Sequence, residues 1–377
     1  MTKVLVLGGS NSVGSSGYVG YIKRHYENIS AGKLEIINIS VGGGSTLSGA
    51  ARLIEASENI DGCDILLYEY GINDALTYRQ AADAKTYYRI SLKFLIDTAA
   101  KLFPDAKFVP VIFAHQHWYS PDSFEPVREE RSRIFRELDI NEIDIAGWLY
   151  RVFEGTIPDF LYADPAHYQR PSMCHLIGSI IAERLNHIVG GCNHQTVSRI
   201  AARYYDIYGD DRIKLRYLSA RKICEMLGGN RDTVTFSNTL LSVDVLRINS
   251  GSTLSFHGFS PLLLVFKSDR KHGYVRAQFG SRKIDISTVY DGIGKLPWVH
   301  WSLSVPICAD IPLSEVLPCD IDYISAFEVR NDIKNGSVFQ FFQEPLQQAE
   351  CLDIIGVLTL ASSESDDSAL RIEVIPQ

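Results

Sequence analysis

Residues 3–10 read Lys-Val-Leu-Val-Leu-Gly-Gly-Ser, an apolar run that ends in two glycines and a serine. This pattern predicts a buried β-strand followed by a tight loop. Similar apolar runs recur downstream, separated by segments with helical periodicity. The predicted strands are Lys3–Leu7, Leu34–Ile39, Ile65–Tyr70 and Lys107–Phe113, and the predicted helices include Tyr18–Tyr26, Gly49–Glu58, Ala82–Leu102 and Met173–Ile188. Apolar strands alternating with helices indicate an α/β fold with a parallel sheet, whose active site is expected at the carboxyl ends of the strands.

The second half of the chain has a different pattern. Residues 193–230 look mainly helical and predict a connector. From Thr233 onward, short runs rich in Val, Ile, Phe and Ser are broken by Gly, Asn, Asp and Pro, which predicts an all-β sandwich or jelly-roll-like domain. We therefore expect an α/β domain over 1–192, a helical connector over 193–230 and a β-sandwich accessory domain over 231–377.

Bulk composition narrows the class of protein. The 377 residues are enough for two domains, and a net charge of −8 argues against a nucleic-acid partner. No apolar stretch approaches the roughly 20 residues of a membrane span. The apolar run at the start leads directly into Gly-Gly-Ser, so we interpret it as a strand rather than a signal peptide. Seven scattered cysteines without Cys-x-x-Cys pairs favour reduced thiols in a cytoplasmic protein and predict no metal site.

A nucleophile and its base are the first requirement of a hydrolase, and the sequence offers a set of candidates. Ser10 follows the first predicted strand, but a serine hydroxyl needs a neighbouring base to take its proton. His167 is the predicted base, and Asp164 precedes it by three residues. One tight turn would aim the carboxylate at one ring nitrogen and leave the other for Ser10. Alone, this Asp-x-x-His sequence is more typical of a surface turn than of a catalytic pair.

Acyl transfer also requires hydrogen-bond donors for the developing oxyanion. Gly43 is predicted to present its backbone N–H, Asn73 its side-chain amide, and Ser10 its own backbone N–H. An ordinary βα turn at Gly42–Gly44 and a helix N-cap at Asn73 are the alternative interpretations.

These four segments together resemble the conserved blocks of the SGNH (GDSL-type) hydrolases over about residues 1–190. The blocks correspond to Gly8-Gly9-Ser10, the stretch 38–43, the stretch 71–74 and the stretch 164–167. The resemblance implies a flavodoxin-like three-layer α/β/α domain, a Ser10–His167–Asp164 triad, no metal, and an oxyanion hole of Ser10, Gly43 and Asn73. Gly42 is the alternative donor to Gly43. The chain departs from the family at Gly9, where an aspartate is usual.

Two other enzyme classes fit the first loop less well. A dinucleotide-binding turn would need Gly-x-Gly-x-x-Gly and an acid after the second strand, where Asn38 and Ser40 stand instead. An α/β-hydrolase elbow would need Gly-x-Ser-x-Gly, whereas the stretch 8–12 ends in serine.

A further polar loop follows the fourth strand. His115, His117 and Trp118 would lie at the active-site edge of the sheet, and we predict that they contact the substrate. A metal-binding histidine pair and a solvated loop with an aromatic anchor are the alternatives.

The predicted activity is therefore that of a serine esterase that removes a small O-acyl group, such as acetyl, from a small-molecule or saccharide substrate. It requires no cofactor. An O-acetyltransferase that moves acetyl from acetyl-CoA to a sugar hydroxyl is the first alternative, because both reactions share an acyl-enzyme. A non-catalytic glycan-binding or assembly protein on the same fold is the second.

Overall fold

The computed structural model describes residues 1–13, 17–78, 83–117, 125–191, 194–209, 213–229, 233–237, 242–268, 274–287, 301–306, 319–324, 351–362 and 371–376. The chain divides into two compact units. The first unit comprises Met1–Arg79 and Asp83–Gly209, and the second contains residues 210–377. No helix within the described ranges is long and apolar enough to cross a bilayer.

The first unit is built on a five-stranded parallel sheet. Its strands are β1 (Thr2–Gly8), β2 (Leu34–Asn38), β3 (Ile65–Glu69), β4 (Lys107–Ile112) and β5 (Ile143–Asp144). Their order in the sheet is β2-β1-β3-β4-β5, which is the flavodoxin-like order. All five residues of β3 are buried, as expected of a central strand covered on both faces. The predicted fold of this half is confirmed.

Two groups of helices cover this sheet. In one group α2 packs on α8, and in the other α5 packs on α3, α6 and α9. A 3₁₀ turn (Asp159–Leu161) and a two-stranded hairpin of β6 (Tyr162–Asp164) and β7 (His167–Tyr168) precede α8. The α-helices are α1 (Ser10–Val13), α2 (Tyr18–Ile29), α3 (Thr46–Ser57), α4 (Gly71–Tyr78), α5 (Ala84–Leu102), α6 (Pro126–Glu137), α7 (Ile145–Val152), α8 (Ser172–Val189) and α9 (Val197–Tyr208).

The second unit consists mainly of two antiparallel sheets, as predicted for an all-β domain. One sheet has the order β15-β12-β17-β10-β9 with β8 also paired to β17, and the other has the order β14-β13-β16-β11-β18. One helix, α10 (Ala220–Met226), follows β8. The strands are β8 (Ile213–Ser219), β9 (Thr233–Ser237), β10 (Ser242–Asn249), β11 (Ser252–His257), β12 (Phe259–Ser268), β13 (Tyr274–Phe279), β14 (Arg282–Ser287), β15 (Trp301–Pro306), β16 (Cys319–Ile324), β17 (Cys351–Ser362) and β18 (Arg371–Pro376).

The region between the two halves differs from the helical connector expected over 193–230. Helix α9 belongs to the first unit, whereas β8 and α10 belong to the second, so the division falls at residue 209. Strand β8 pairs with β17 along seven residues. Its sequence, Ile-Lys-Leu-Arg-Tyr-Leu-Ser, alternates apolar and polar residues at the start, which is a strand pattern. The strand was not predicted, because the helical patterns on both sides of this short stretch dominate the sequence there.

Candidate active site

Ser10 lies directly after the carboxyl end of β1, as the first residue of α1. The loop that places it there needs glycine at position 8. A Cβ on Gly8 would lie 2.2 Å from Ser12 Oγ, closer than any side chain tolerates. Gly9 N–H donates to the backbone oxygen of Glu69 at 3.0 Å, and this bond anchors the loop to the neighbouring strand β3. The chain therefore turns sharply and leaves the Ser10 hydroxyl at the strand-end edge of the sheet.

His167 and Asp164 approach this hydroxyl from the β6–β7 hairpin. The Nε2 atom of His167 lies 2.6 Å from Ser10 Oγ. On the other side of the ring, Nδ1 lies 2.8 Å from each oxygen of Asp164. Asp164 Oδ1 also accepts the backbone N–H groups of Ala166 and His167, at 3.0 and 3.1 Å. The carboxylate is thus held in place by the turn that it caps, and it orients the imidazole toward Ser10.

Asn11 connects the serine loop to the histidine hairpin. Its side-chain Nδ2 donates to Ala166 O at 2.9 Å, and its Oδ1 accepts Tyr168 N–H at 3.4 Å. Asn11 is buried, with 6% of its surface exposed. The two bonds flank His167 and fix its distance from Ser10. Sequence reasoning missed this residue, because its two partners lie 155 and 157 residues away in the chain.

Gly43 lies in a tight turn after β2. Gly44 N–H donates to Val41 O at 3.3 Å, and Gly43 has a φ of +73°. A positive φ at the third position of a turn is typical of type II geometry and favours glycine. Val41 N–H donates to Gly8 O at 3.1 Å, which holds this turn beside the serine loop. A Cβ on Gly43 would meet no atom within 4 Å, so the backbone there is open to an incoming group.

Asn73 lies in the first turn of α4, beside the serine loop. A Cβ on Gly9 would lie 2.1 Å from Asn73 Oδ1 and 3.0 Å from its Nδ2. Asn73 is 7% exposed, and its amide has no hydrogen-bond partner among the residues that the structure describes. The amide is therefore free to donate to a group bound at Ser10. The position of Asn73 also fits the glycine at position 9, where the SGNH hydrolases usually have an aspartate, because a side chain there would displace Asn73.

Asp74 joins the Asn73 segment to the helix that follows the Gly43 turn. Its carboxylate accepts Thr46 N–H at 2.8 Å, the Thr46 hydroxyl at 2.5 Å and the Tyr68 hydroxyl at 3.1 Å. Burial raises the pKa of Asp74 to about 6, against the opposing effect of the Thr46 hydrogen bonds. The carboxylate thus fixes the beginning of α3 relative to α4, and with it the spacing of the two loops that carry Gly43 and Asn73.

A second buried acid lies beneath the serine loop. Glu69 ends β3 and has no exposed surface. Ser12 Oγ lies 2.9 Å from Glu69 Oε2, to which it donates, and 2.8 Å from the Tyr18 hydroxyl. Burial raises the pKa of Glu69 to about 8, so the neutral acid predominates at pH 7. This polar cluster supports the first turn of α1 from below.

The loop after β4 contacts the histidine hairpin. Tyr162 donates its hydroxyl to Ala114 O at 3.1 Å, and Gln116 N–H donates to Pro165 O at 2.9 Å. His115 lies between these anchors, half-buried, and its ring centroid is 5.7 Å from that of the exposed His117. The predicted contact Trp118 lies outside the described residues. Within the described part of the chain, no three His, Cys, Asp or Glu side chains form a metal-binding group.

The loops after β1, β2 and β3, together with the β6–β7 hairpin, thus meet around one serine hydroxyl. That arrangement, on a flavodoxin-like sheet, is the one that defines the SGNH (GDSL-type) hydrolase fold, and the first unit has this fold.

Comparison with solved structures extends the likeness to both units. A two-domain esterase (CEX) active on acetylated mannans superimposes over 97% of this chain and 92% of its own, with a TM-score of 0.58 and 12% identity. An acetyl xylan esterase, AlAXEase, matches 50% of this chain and 99% of its own, with a TM-score of 0.39 and 16% identity. A lipase/acylhydrolase from Enterococcus faecalis matches 50% and 97%, with a TM-score of 0.39 and 20% identity. At 12% identity the first likeness shows a shared fold. No protein-family model and no curated protein matches the chain.

Proposed function

We propose that the protein is an SGNH-type serine esterase. The observation that carries this proposal is the continuous chain of contacts from Asp164 through His167 to Ser10, with distances of 2.8 and 2.6 Å. A nucleophile within hydrogen-bond reach of a base, which is itself oriented by a third group, is the signature of covalent acyl transfer.

Acylation begins when Ser10 Oγ attacks the ester carbonyl carbon. His167 Nε2 takes the hydroxyl proton as the new C–O bond forms, and Asp164 stabilises the resulting imidazolium. The carbonyl oxygen becomes an oxyanion, which accepts hydrogen bonds from the backbone N–H groups of Ser10 and Gly43 and from the Asn73 amide. Each such donor contributes roughly 2.7–4 kcal/mol to transition-state stabilisation. His167 then returns the proton to the leaving alcohol as the ester C–O bond breaks.

Deacylation repeats the sequence with water. His167 takes a proton from the water molecule, whose oxygen attacks the acyl-serine carbonyl. Collapse of the second tetrahedral intermediate releases the carboxylic acid, and His167 returns the proton to Ser10 Oγ. The nucleophile, the proton carrier and the oxyanion donors all come from the protein, so the proposed reaction calls for no cofactor.

The proposed substrate is a saccharide that carries small O-acyl groups, acetyl in particular. The fold supports this choice, because a structure that matches both units is that of an esterase active on acetylated mannans. In this proposal the second unit contributes to the recognition of the carbohydrate.

Release of acetate from acetylated oligosaccharides tests the proposal. We expect the wild-type protein to release acetate and to react with a fluorophosphonate probe at Ser10. A Ser10→Ala variant should do neither, whereas Ser57→Ala, which changes a serine at the end of α3, should do both. Adding acetyl-CoA and a deacetylated oligosaccharide separates hydrolysis from transfer, since a transferase would place the acetyl group on the sugar. Acetate release by Ser10→Ala at the wild-type rate would refute the triad.

A further inference from the structure

A solvent-open pocket lies beside the candidate active site, between the segments that follow β3 and β4. Its volume is about 30 Å³, which is room for a group the size of a carboxylate or for about two water molecules. Apolar side chains form most of the wall, among them Ile72, Ala75 and Phe113, and His115 also borders it. Asn73 follows Ile72 directly, so the pocket adjoins the proposed oxyanion hole along the chain.

Two arginines of α6, Arg128 and Arg131, line this pocket, and Arg131 is the buried one of the two. Arg131 is 4% exposed, yet its guanidinium forms no hydrogen bond and no ion pair with any described residue. Buried arginines usually have their donors satisfied by acceptors, because an unpaired buried charge is costly. Burial lowers the pKa of Arg131, but Tyr88 and Glu142 outweigh this effect and raise the pKa, so the group is charged.

The surroundings of Arg131 carry charges of both signs. A Cβ on Gly71 would lie 2.8 Å from Arg131 Nη1, so the guanidinium rests against the beginning of α4. Helix beginnings carry a partial positive charge and free N–H groups. Four acids lie within electrostatic reach of Arg131, namely Glu69, Asp74, Glu125 and Glu142. Three of them are occupied or neutral: Glu69 holds its proton at pH 7, Asp74 accepts hydrogen bonds from Thr46 and Tyr68, and Glu125 caps α6 by accepting Val127 N–H at 3.0 Å and Arg128 N–H at 2.6 Å.

A buried guanidinium without a described hydrogen-bond acceptor thus lines a largely apolar pocket that adjoins the serine loop. We propose that Arg131 binds a carboxylate of the substrate, so that the preferred ester is an acidic molecule. The planar guanidinium suits this partner, because it can donate two parallel hydrogen bonds to a carboxylate. The inference rests on the proposed esterase function and specifies its substrate. The carboxylate belongs either to the sugar, as in a uronic acid, or to the acyl group, as in a succinyl ester.

Two matched pairs of substrates distinguish these sources. Comparing an O-acetylated methyl glucuronide with an O-acetylated methyl glucoside tests for a carboxylate on the sugar. Comparing 4-nitrophenyl hemisuccinate with 4-nitrophenyl butyrate tests for a carboxylate on the acyl group. We expect the wild-type kcat/KM to favour the acidic member of one pair by at least tenfold. In Arg131→Gln this preference should fall by about 10- to 100-fold, the range for a hydrogen bond to a charged group.

Arg136→Gln is the matched control, because Arg136 lies on the same helix but is exposed and does not border the pocket. It should keep the wild-type preference. If Arg131→Gln does not fold, Ala75→Leu provides a second test, since it fills the pocket and leaves the guanidinium in place. It should reduce the preference for the acidic ester in the same way.

The outcomes separate this inference from the proposed function. A wild-type protein that reacts with the fluorophosphonate probe and cleaves neutral esters, but prefers neither acidic substrate, would overturn the role of Arg131 alone. A preference that survives both Arg131→Gln and Ala75→Leu would do the same. Failure of the wild-type protein to label at Ser10 or to cleave any of the four esters would overturn the esterase function itself, and this inference with it.

Discussion

Ser10 and His167 are 157 residues apart in the chain, and their side chains meet at 2.6 Å. The contact joins a loop after strand β1 of the parallel sheet to a short hairpin outside that sheet. Neither segment has a chemical role without the other, because the hydroxyl is a weak nucleophile until the imidazole accepts its proton.

Removing the base should nearly abolish turnover. We expect His167→Ala to lower kcat by more than ~10³, as triad deletions do in other serine hydrolases. Steady-state kinetics with 4-nitrophenyl acetate measures the effect, and His187→Ala, an exposed histidine near the end of α8, is the control. A loss of less than tenfold in His167→Ala would exclude this residue as the general base.

The Asn73 amide should act in the transition state rather than in substrate binding. We expect Asn73→Ala to lower kcat by about 10²–10³ with a small change in KM. The fold should tolerate the change, because this amide has no hydrogen-bond partner within the described residues. Steady-state kinetics on an acetylated oligosaccharide measures the effects on kcat and KM separately, with the exposed Asn59→Ala as control. A raised KM at constant kcat would instead assign Asn73 to ground-state binding.

A side chain at position 9 should act through Asn73. Gly9→Ala introduces a Cβ that would lie 2.1 Å from Asn73 Oδ1, and we expect it to lower kcat at least tenfold by displacing the amide. Gly9 does not have a positive φ, so backbone strain does not explain the loss. A double-mutant cycle tests the route: in an Asn73→Ala background, Gly9→Ala should cost little more. Additive losses would show that Gly9 acts independently of the amide.

Asn11 should behave as a positioning residue. Asn11→Ala leaves Ala166 O and Tyr168 N–H without their side-chain partner, so we expect the free energy of unfolding to fall by about 1–3 kcal/mol. We also expect kcat to fall about tenfold or more, with KM largely unchanged, because His167 loses its fixed distance from Ser10. Urea unfolding and steady-state kinetics on the same preparation measure both effects. Lowered stability with full kcat would reduce Asn11 to a structural role.

The buried Glu69 should make stability depend on pH. Its pKa is raised from 4.5 to about 8, so between these values the folded state holds a proton that the unfolded state has released. The contribution of Glu69 to the free energy of unfolding is therefore fully present below pH 4.5. It falls by about 1.4 kcal/mol per pH unit until about pH 8. We expect the difference in unfolding free energy between wild type and Glu69→Gln to show this slope in urea unfolding from pH 5 to 8.

The exposed Glu58→Gln is the control for this measurement, and its difference from wild type should stay flat over the same range. A flat difference for Glu69→Gln as well would show that the Glu69 carboxyl titrates near its ordinary pKa in the folded protein.

The sequence alone was sufficient to predict the parallel sheet. Buried strands such as Ile65–Glu69 are continuous apolar runs, and long helices such as Ala84–Leu102 have a clear helical periodicity. It also identified the segments that the structure brings together around Ser10, since glycine, asparagine and histidine recur where strands end. Strand β8 was missed, because seven residues between two helices carry too weak a pattern against the helical signal around them.

Residues whose importance depends on a distant neighbour were also missed. Asn11 contacts Ala166, 155 residues away, and Glu69 contacts Ser12, 57 residues away. Arg131 stands in a highly charged stretch of sequence that is typical of an exposed helix face, yet it is buried. Hydrophobic periodicity reports which side of a helix faces inward on average, but it does not show which single charge is enclosed by other segments.

The pairing of strand β17 bears on the order in which the two units fold during synthesis. It pairs with β8 through Gly356–Ser362, with β10 through Cys351–Ile354, and with β12 along most of its length. All three partners leave the exit tunnel long before β17 is synthesised, so that sheet can close only after β17 has been made. The first unit ends at Gly209, and nascent domains generally fold in the order of their synthesis. The contact between Ser10 and His167 is thus expected to form before β17 is available to pair with β8, β10 and β12.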